Sequence, residues 1–313
     1  MQNISIIGCG LIGRGWAIVF ARAGFKVTIF DQETSSLETA LKSIGASMSS
    51  LHELKLLPDD PETLCNNISC ATNLRHAVAH ADYVQESITE DLNAKKHLFK
   101  ELDHLAKPKC ILASSTSTIS TSSFSGDLKG KDRCIVAHPL NPPHLIPLVE
   151  ISPAPYTNKS VVEETMLLHN TANQTPILVQ KEIEGFILNR LQAALLLESW
   201  QLVKEGYVSV SDLDKTVKNG LGHRWAFMGP FETTDLNAKK GISEYAQIFG
   251  EAYRKMMKNS EYAKWDDNLI NRVNAVCRDI TSEENIEQRS QWRDFQLMEL
   301  LLHKQLMRDK LGE

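Results

Sequence analysis

The chain predicts an α/β domain on a mostly parallel sheet over residues 1–183, followed by an all-helical domain over 184–313. Three observations carry that expectation. Short β-branched runs alternate with helical patterns up to about Lys181, the first run enters a glycine-rich turn, and strand signals stop from Gly185 onward. Such alternation puts helices on both faces of a sheet. Ligands of these sheets bind beyond the carboxyl ends of the strands, so the substrate is expected in the cleft between the two parts.

Residues 4–7 (ISII) form the first strand and run straight into Gly8-Cys9-Gly10-Leu11-Ile12-Gly13. Ile12, Trp16, Val19, Phe20 and Ala23 then recur at helical spacing. In this strand–turn–helix setting Gly8 permits the tight turn, and Gly10 lets backbone approach a pyrophosphate. Gly13 allows helix to pack on strand, while the first helix amides, at Leu11 and Ile12, face the phosphates. The second strand, 27–30, ends at Asp31, eighteen residues past Gly13. A carboxylate there accepts hydrogen bonds from the adenosine ribose. Gln32 and Glu33 follow with no Arg or Lys, so a 2′-phosphate is repelled. The pattern predicts a Rossmann-type domain that binds NAD rather than NADP.

Further strands are expected at 68–72, 83–85, 110–113, 133–137, 147–151 and 177–179. The 110–113 run continues into a Ser/Thr cluster, which places hydroxyls at the cofactor end of the sheet. Most of these side chains suit turns and helix caps. Ser117 is singled out as a partner for the oxygen of an alcohol. Segment 136–150 reads VAHPLNPPHLIPLVE, two apolar runs around a Pro-rich turn. Paired strands there would bring His138 and Glu150 into hydrogen-bonding range. A carboxylate on one imidazole nitrogen fixes the tautomer and steadies the imidazolium that forms when the other nitrogen takes a proton. From these residues alone, a turn with an incidental His and Glu is an equal alternative.

Beyond 185 the pattern predicts helices over 186–205, 210–219 and 292–308. The first is apolar on most sides, which suits an interface between two copies or a central helix within one subunit. Lys and Arg number 34 against 39 Asp and Glu, a net charge of −5. That balance argues against nucleic-acid and anionic-membrane partners. No apolar run approaches the roughly 20 residues that span a bilayer. The opening MQNISIIGCG enters the first strand at once, so no signal peptide is expected. Cys9, Cys65, Cys70, Cys110, Cys134 and Cys277 are scattered, and Cys65 and Cys70 lack a second ligand pair at zinc-site spacing. Free thiols, no metal and a cytoplasmic setting are the expectation.

The glycine turn, Asp31, SSTST, HPLNP with its downstream Glu150, and EGFILNR at 184–190 together resemble the L-3-hydroxyacyl-CoA dehydrogenase family. The resemblance covers nearly the whole chain in order. It implies that Ser117, His138, Asn141 and Asn189 surround a substrate hydroxyl, with Glu150 behind the histidine. It also implies that Glu90 and Lys95, in YVQESITEDLNAKK, approach the nicotinamide ribose. Read as residues, those two equally make a solvated helix-start pair. The implied reaction passes hydride from C3 of a hydroxyacyl substrate to NAD, and the implied assembly is a homodimer through the helical domain.

Two departures bear on the substrate. Residues 35–67 carry Glu38, Glu53, Asp59, Asp60 and Glu62 against Lys42 and Lys55, a poor surface for the phosphates of CoA. The loop GLGHRWAFMGPFE adds His223, Arg224 and Trp225. A guanidinium clamps a carboxylate through two parallel hydrogen bonds, although Arg224 could instead pair with Glu232. A free 3-hydroxy acid is therefore expected over a thioester, and the resemblance implies L-gulonate. The alternatives are 3-hydroxybutyryl-CoA and L-carnitine, whose quaternary ammonium calls for an aromatic cage that Trp225 alone does not make. A non-enzymatic, bulk structural role is the alternative from another class. The intact His–Glu pair, Ser117 and glycine turn speak against it.

Overall fold

The computed structural model describes residues 1–226, 228–235, 237, 242–257 and 282–311. Strands β1 (Asn3–Ile7), β2 (Lys26–Phe30), β3 (Ile68–Cys70), β4 (Tyr83–Glu86), β5 (Ile111–Ser114), β6 (Cys134–Pro139), β7 (Leu148–Pro153) and β8 (Thr175–Leu178) form one sheet. Their order is β3-β2-β1-β4-β5-β6-β7-β8. Neighbours run parallel except β6 and β7, which are antiparallel. The expected fold class holds, and each expected strand is found with its ends shifted by no more than two residues.

Side chains alternate between two apolar clusters, as a sheet covered on both faces requires. Ile4, Ile6, Tyr83, Ala113, Ile135 and Ala137 belong to one cluster. Ile7, Val84, Leu112, Cys134 and Val136 belong to the other. Helix α1 (Leu11–Arg22) covers the first face with Trp16 and Phe20, both fully buried, their rings stacked 5.5 Å apart. Burial of each such side chain is worth roughly 1.5–3 kcal/mol. Helices α2 (Thr34–Glu53), α3 (Pro61–Cys65) and α4 (Leu74–Val78) follow in the chain, then α5 (Leu92–Leu105), which brings Phe99 to the second face. There Phe99 meets Phe124 of α6 (Thr121–Ser125) at 4.3 Å between ring centroids. Helix α7 (Lys159–Thr171) adds Val161 and Leu168 to the first cluster.

The chain folds as two compact units, Met1–Asn189 with Ser290–Glu313, and Arg190–Arg289. The final helix, Ile286–Leu311, thus contributes to the first unit, where Met298 joins the apolar cluster around α1. Helix α8 (Leu188–Lys204) begins in the first unit. In the second unit Val203, Trp200, Val208, Val210 and Leu213 form a small cluster. From α8 onward every element among the described residues is helical. No helix among them is long and apolar enough to cross a membrane. Cys9, Cys65, Cys70, Cys110 and Cys134 are free, and Cys277 lies outside the described residues.

Candidate active site

The carboxyl end of β1 builds a cradle out of backbone. Gly8 has φ +98°, a conformation that side-chain-bearing residues rarely adopt, and its N–H donates to Phe30 O at 2.8 Å. A Cβ on Gly13 would lie 1.9 Å from Gly8 O, so α1 can sit this close to the turn only with glycine there. A Cβ on Gly10 would meet nothing within 4 Å. That open space lies at the start of α1, whose first amides no side chain caps. Asp31 closes the other side, accepting Cys9 N–H at 2.8 Å on Oδ2 and Glu33 N–H at 3.0 Å on Oδ1. A cavity of about 880 Å³ opens between these groups, lined by Gly8, Gly10, Leu11, Ile12, Asp31 and Ser87 among others. Gly13 stands behind the turn. Uncapped helix amides, a glycine that leaves room and an acidic anchor at the end of β2 fit a dinucleotide with an unphosphorylated ribose. Burial, reinforced by Asp31, pushes the Cys9 thiol up to about 12.

Three strands along the sheet from β1, near the carboxyl end of β6, His138 stands opposite Glu150 in the β6–β7 register. His138 Nδ1 and Glu150 Oε2 are 2.8 Å apart and both residues are buried. The other carboxylate oxygen, Oε1, accepts the Ile187 and Leu188 amides at 2.8 and 2.9 Å. Burial favours a neutral Glu150, but the hydrogen bonds from His138 and these two amides outweigh it and hold the carboxyl below its ordinary value. An ionised carboxylate can only accept, so the hydrogen of this bond sits on Nδ1, and in the neutral ring Nε2 is then the acceptor. A left-handed turn at Gly185 (φ +74°) and Phe186 (φ +48°) buries the Phe186 ring 5.4 Å from the imidazole and aims the first amides of α8 at Glu150.

The hydroxyl-rich loop after β5 is gathered by Glu90. Its Oε1 accepts Thr116 Oγ1–H at 2.6 Å, the Ser117 and Thr118 amides at 2.9 and 3.1 Å, and Thr118 Oγ1–H at 3.2 Å. Lys95 is buried beneath, its Nζ 2.8 Å from Glu86 Oε1 and 3.5 Å from Glu90 Oε2. Ser114 donates to Glu86 Oε2 at 2.5 Å. Lys95 is therefore no solvated helix-start residue, as one reading of the sequence had it. Glu86 and Ser114 escaped the sequence reading, and the one signal was an acidic residue ending an apolar strand.

Asn189, the second residue of α8, donates from Nδ2 to Ser117 O at 2.8 Å. Asn141 follows β6 by two residues and is exposed, with no hydrogen bond among the described residues to Ser117, His138, Glu150 or Asn189. Arg224 belongs to the second unit, exposed on the short helix Gly222–Trp225. Among the described residues no ion pair joins it to Glu232. The turn after His138 has supports that the sequence reading missed. Gly15 leaves room for Pro143, whose Cδ would lie 2.6 Å from a Cβ there, and Arg22 donates to His144 O at 2.8 Å.

A sheet that offers a dinucleotide uncapped helix amides and an acidic ribose anchor defines an NAD-dependent oxidoreductase. Known proteins narrow the class. The family described as 3-hydroxyacyl-CoA dehydrogenase, NAD binding domain, matches residues 3–183, and the corresponding C-terminal domain matches 185–273. The chain belongs to the 3-hydroxyacyl-CoA dehydrogenase family. Lambda-crystallin of Oryctolagus cuniculus is 39% identical over 310 residues, 97% of each chain. A 3-hydroxyacyl-CoA dehydrogenase of Gibberella moniliformis is 34% identical, covering 98% of this chain and 96% of its own. Among solved structures, the NAD-dependent dismutase 5-formyl-3-hydroxy-2-methylpyridine 4-carboxylic acid 5-dehydrogenase superposes with a TM-score of 0.83 at 26% identity. That match covers 97% of this chain and 99% of the other.

Proposed function

We propose that this dehydrogenase oxidises a free 3-hydroxy acid at C3, L-gulonate to 3-dehydro-L-gulonate, with His138 as general base. The observation that carries the reading is the 2.8 Å bond between His138 Nδ1 and Glu150 Oε2. Glu150 positions the ring and steadies the imidazolium, and Nε2 takes the hydroxyl proton. Such base catalysis contributes ~10²–10⁴-fold. Bound NAD supplies the hydride acceptor. Ser117, Asn141 and Asn189 hold the substrate oxygen as its charge changes, and the Asn189–Ser117 bond supports their grouping. Gly8, Gly10, Leu11, Ile12, Gly13 and Asp31 hold the adenosine diphosphate half, and Glu90 and Lys95 shape the nicotinamide end.

Arg224 clamps the substrate carboxylate in this reading, which its exposure supports, as does the lack of an ion pair with Glu232 among the described residues. The motifs HPLNPPHLIPLVE, KEIEGFILNRLQ and GLGHRWAFMGPFETTDLNA are similar to L-gulonate 3-dehydrogenase, also known as lambda-crystallin. Residues 1–183 serve NAD and 184–313 serve substrate and a homodimer, in the cytoplasm. Apolar side chains of α8 that stay exposed in the single chain, Leu191 at 63% and Leu196 at 39%, support the dimer.

The test is NADH production with L-gulonate, L-3-hydroxybutyrate, L-carnitine and L-3-hydroxybutyryl-CoA side by side, for the wild type and Arg224→Met. L-gulonate as best substrate, with Arg224→Met raising its KM sharply, supports the proposal. The thioester as best substrate, with Arg224→Met nearly silent, overturns it. NAD binding by calorimetry without turnover of any of the four favours a non-enzymatic role.

A further inference from the structure

Beneath the cofactor cavity lies a chain of neutral polar side chains that the reaction above does not use. Ser115 Oγ lies 3.1 Å from Trp16 Nε1, 2.7 Å from Gln85 Nε2 and 2.9 Å from Ser87 Oγ. Gln85 Nε2 also reaches Ala137 O at 3.2 Å, and Gln85 Oε1 accepts Tyr83 O–H at 2.7 Å. Tyr83 O–H in turn lies 3.2 Å from His169 Nε2.

Counting protons gives this chain a direction. An indole nitrogen only donates, and the amide atom facing the Ala137 carbonyl must be the NH₂. Trp16 and Gln85 therefore both donate to Ser115, filling its two lone pairs. Ser115 is left to donate its own hydrogen, and Ser87 Oγ is the acceptor in reach. The far end agrees. Tyr83 spends its hydrogen on Gln85, so His169 Nε2–H donates to Tyr83, and His169 Nδ1 is a buried acceptor with no partner. Burial pulls His169 down to about 3, which keeps it neutral. Ser87 thus receives a hydrogen bond from below, and its own hydrogen has no acceptor among the described residues.

Ser87 lines the cofactor cavity, on the side away from Asp31. It follows β4, which flanks β1 opposite to β2 and Asp31. A dinucleotide with its adenosine ribose at Asp31 and its pyrophosphate at the start of α1 carries its nicotinamide half to the β4 side. We infer that Ser87, oriented by Ser115, Gln85 and Trp16, donates a hydrogen bond to an oxygen on the nicotinamide riboside half of NAD. This rests on NAD binding alone, not on the identity of the alcohol.

Calorimetry of NADH, ADP-ribose and ADP with the wild-type protein, Ser87→Ala, Ser87→Thr and Ser115→Ala tests it. Losing one neutral hydrogen bond should weaken NADH about three- to tenfold in Ser87→Ala and leave ADP unchanged. Ser87→Thr, which keeps the hydroxyl, should restore NADH affinity. Ser115→Ala should weaken NADH but not ADP, because Ser87 then loses its fixed orientation. An ADP-ribose loss equal to that of NADH places the acceptor on the ribose, and an unaffected ADP-ribose places it on the carboxamide. Either supports the inference. NADH affinity within about twofold of wild type in Ser87→Ala, or equal weakening of ADP, overturns it.

Discussion

Glu150 binds His138 and the start of α8 with the same carboxylate, one oxygen for the imidazole and the other for the Ile187 and Leu188 amides. The next residue, Asn189, holds the carbonyl of Ser117. Strand β7 therefore sets the imidazole and the entry of α8 together, and α8 reaches across to the loop after β5. A change at Glu150 is felt by three segments at once.

Replacing Glu150 by Gln is accordingly not conservative. Three N–H donors converge on the carboxylate, and an amide must turn its own NH₂ toward one of them. Steady-state kinetics should show kcat lowered ~10²–10⁴-fold in His138→Ala and comparably in Glu150→Gln, as expected for loss of a general base or its orientation. NADH fluorescence titration should give a nearly unchanged Kd, since neither side chain touches the glycine cradle. Near-wild-type turnover in either variant would refute the pairing of base and positioning carboxylate.

Two glycines of one motif should fail differently. Gly13→Ala drives a methyl group into the Gly8 carbonyl, a backbone atom that cannot step aside. A loss of roughly 1–3 kcal/mol in urea unfolding is expected from such overpacking, with NAD binding weakened alongside. Gly10→Ala meets open space, so stability should stay within about 0.5 kcal/mol. The new methyl group occupies the approach of the pyrophosphate, and NAD affinity should fall in a protein that melts like wild type.

The Lys95–Glu86 pair is completely enclosed. Lys95→Met strands the Glu86 carboxylate, whose burial already pushes it above its ordinary value against the pull of Lys95. Breaking a pair of this kind costs about 3–5 kcal/mol. Chemical denaturation should show most of that loss recovered in the Lys95→Met/Glu86→Gln double variant.

Acid sensitivity should begin in the histidine range. Burial lowers His169 from 6.5 to about 3, and burial with the Arg22 charge lowers His144 from 6.5 to about 4. The unfolded chain protonates both near 6.5, so the stability they contribute is complete above that pH and is lost as pH falls toward 4 and 3. Each group adds a slope of at most about 1.4 kcal/mol per pH unit. Denaturation at pH 7, 6 and 5 should show stability declining, and His169→Gln should decline less steeply.

Much of this was legible in the chain. Eight short apolar runs, a glycine turn with its strand and helix, and an acidic residue after β2 are local signals, and the sheet bears them out. The His138–Glu150 juxtaposition was readable because the two strands are consecutive and joined by a short turn, so sequence distance limits their separation. Glu86, Ser114, Ser115 and Gly15 were not readable. Their partners are Lys95, Glu86, Gln85 and Pro143. Lys95 is only nine residues from Glu86, but no local pattern shows that the two side chains meet, and the other three contacts join segments far apart in the chain.

Sequence alone determined the family, the cofactor and the strand–helix alternation, because each is encoded in residue types within a few positions of one another. Only the tertiary structure decided that Lys95 is buried, that Glu150 caps α8 as well as holding His138, and that the hydrogens of the Ser115 network run toward Ser87. Those outcomes depend on which buried polar groups meet. Away from water each donor must find an acceptor, and which one it finds is set by packing across the whole sheet.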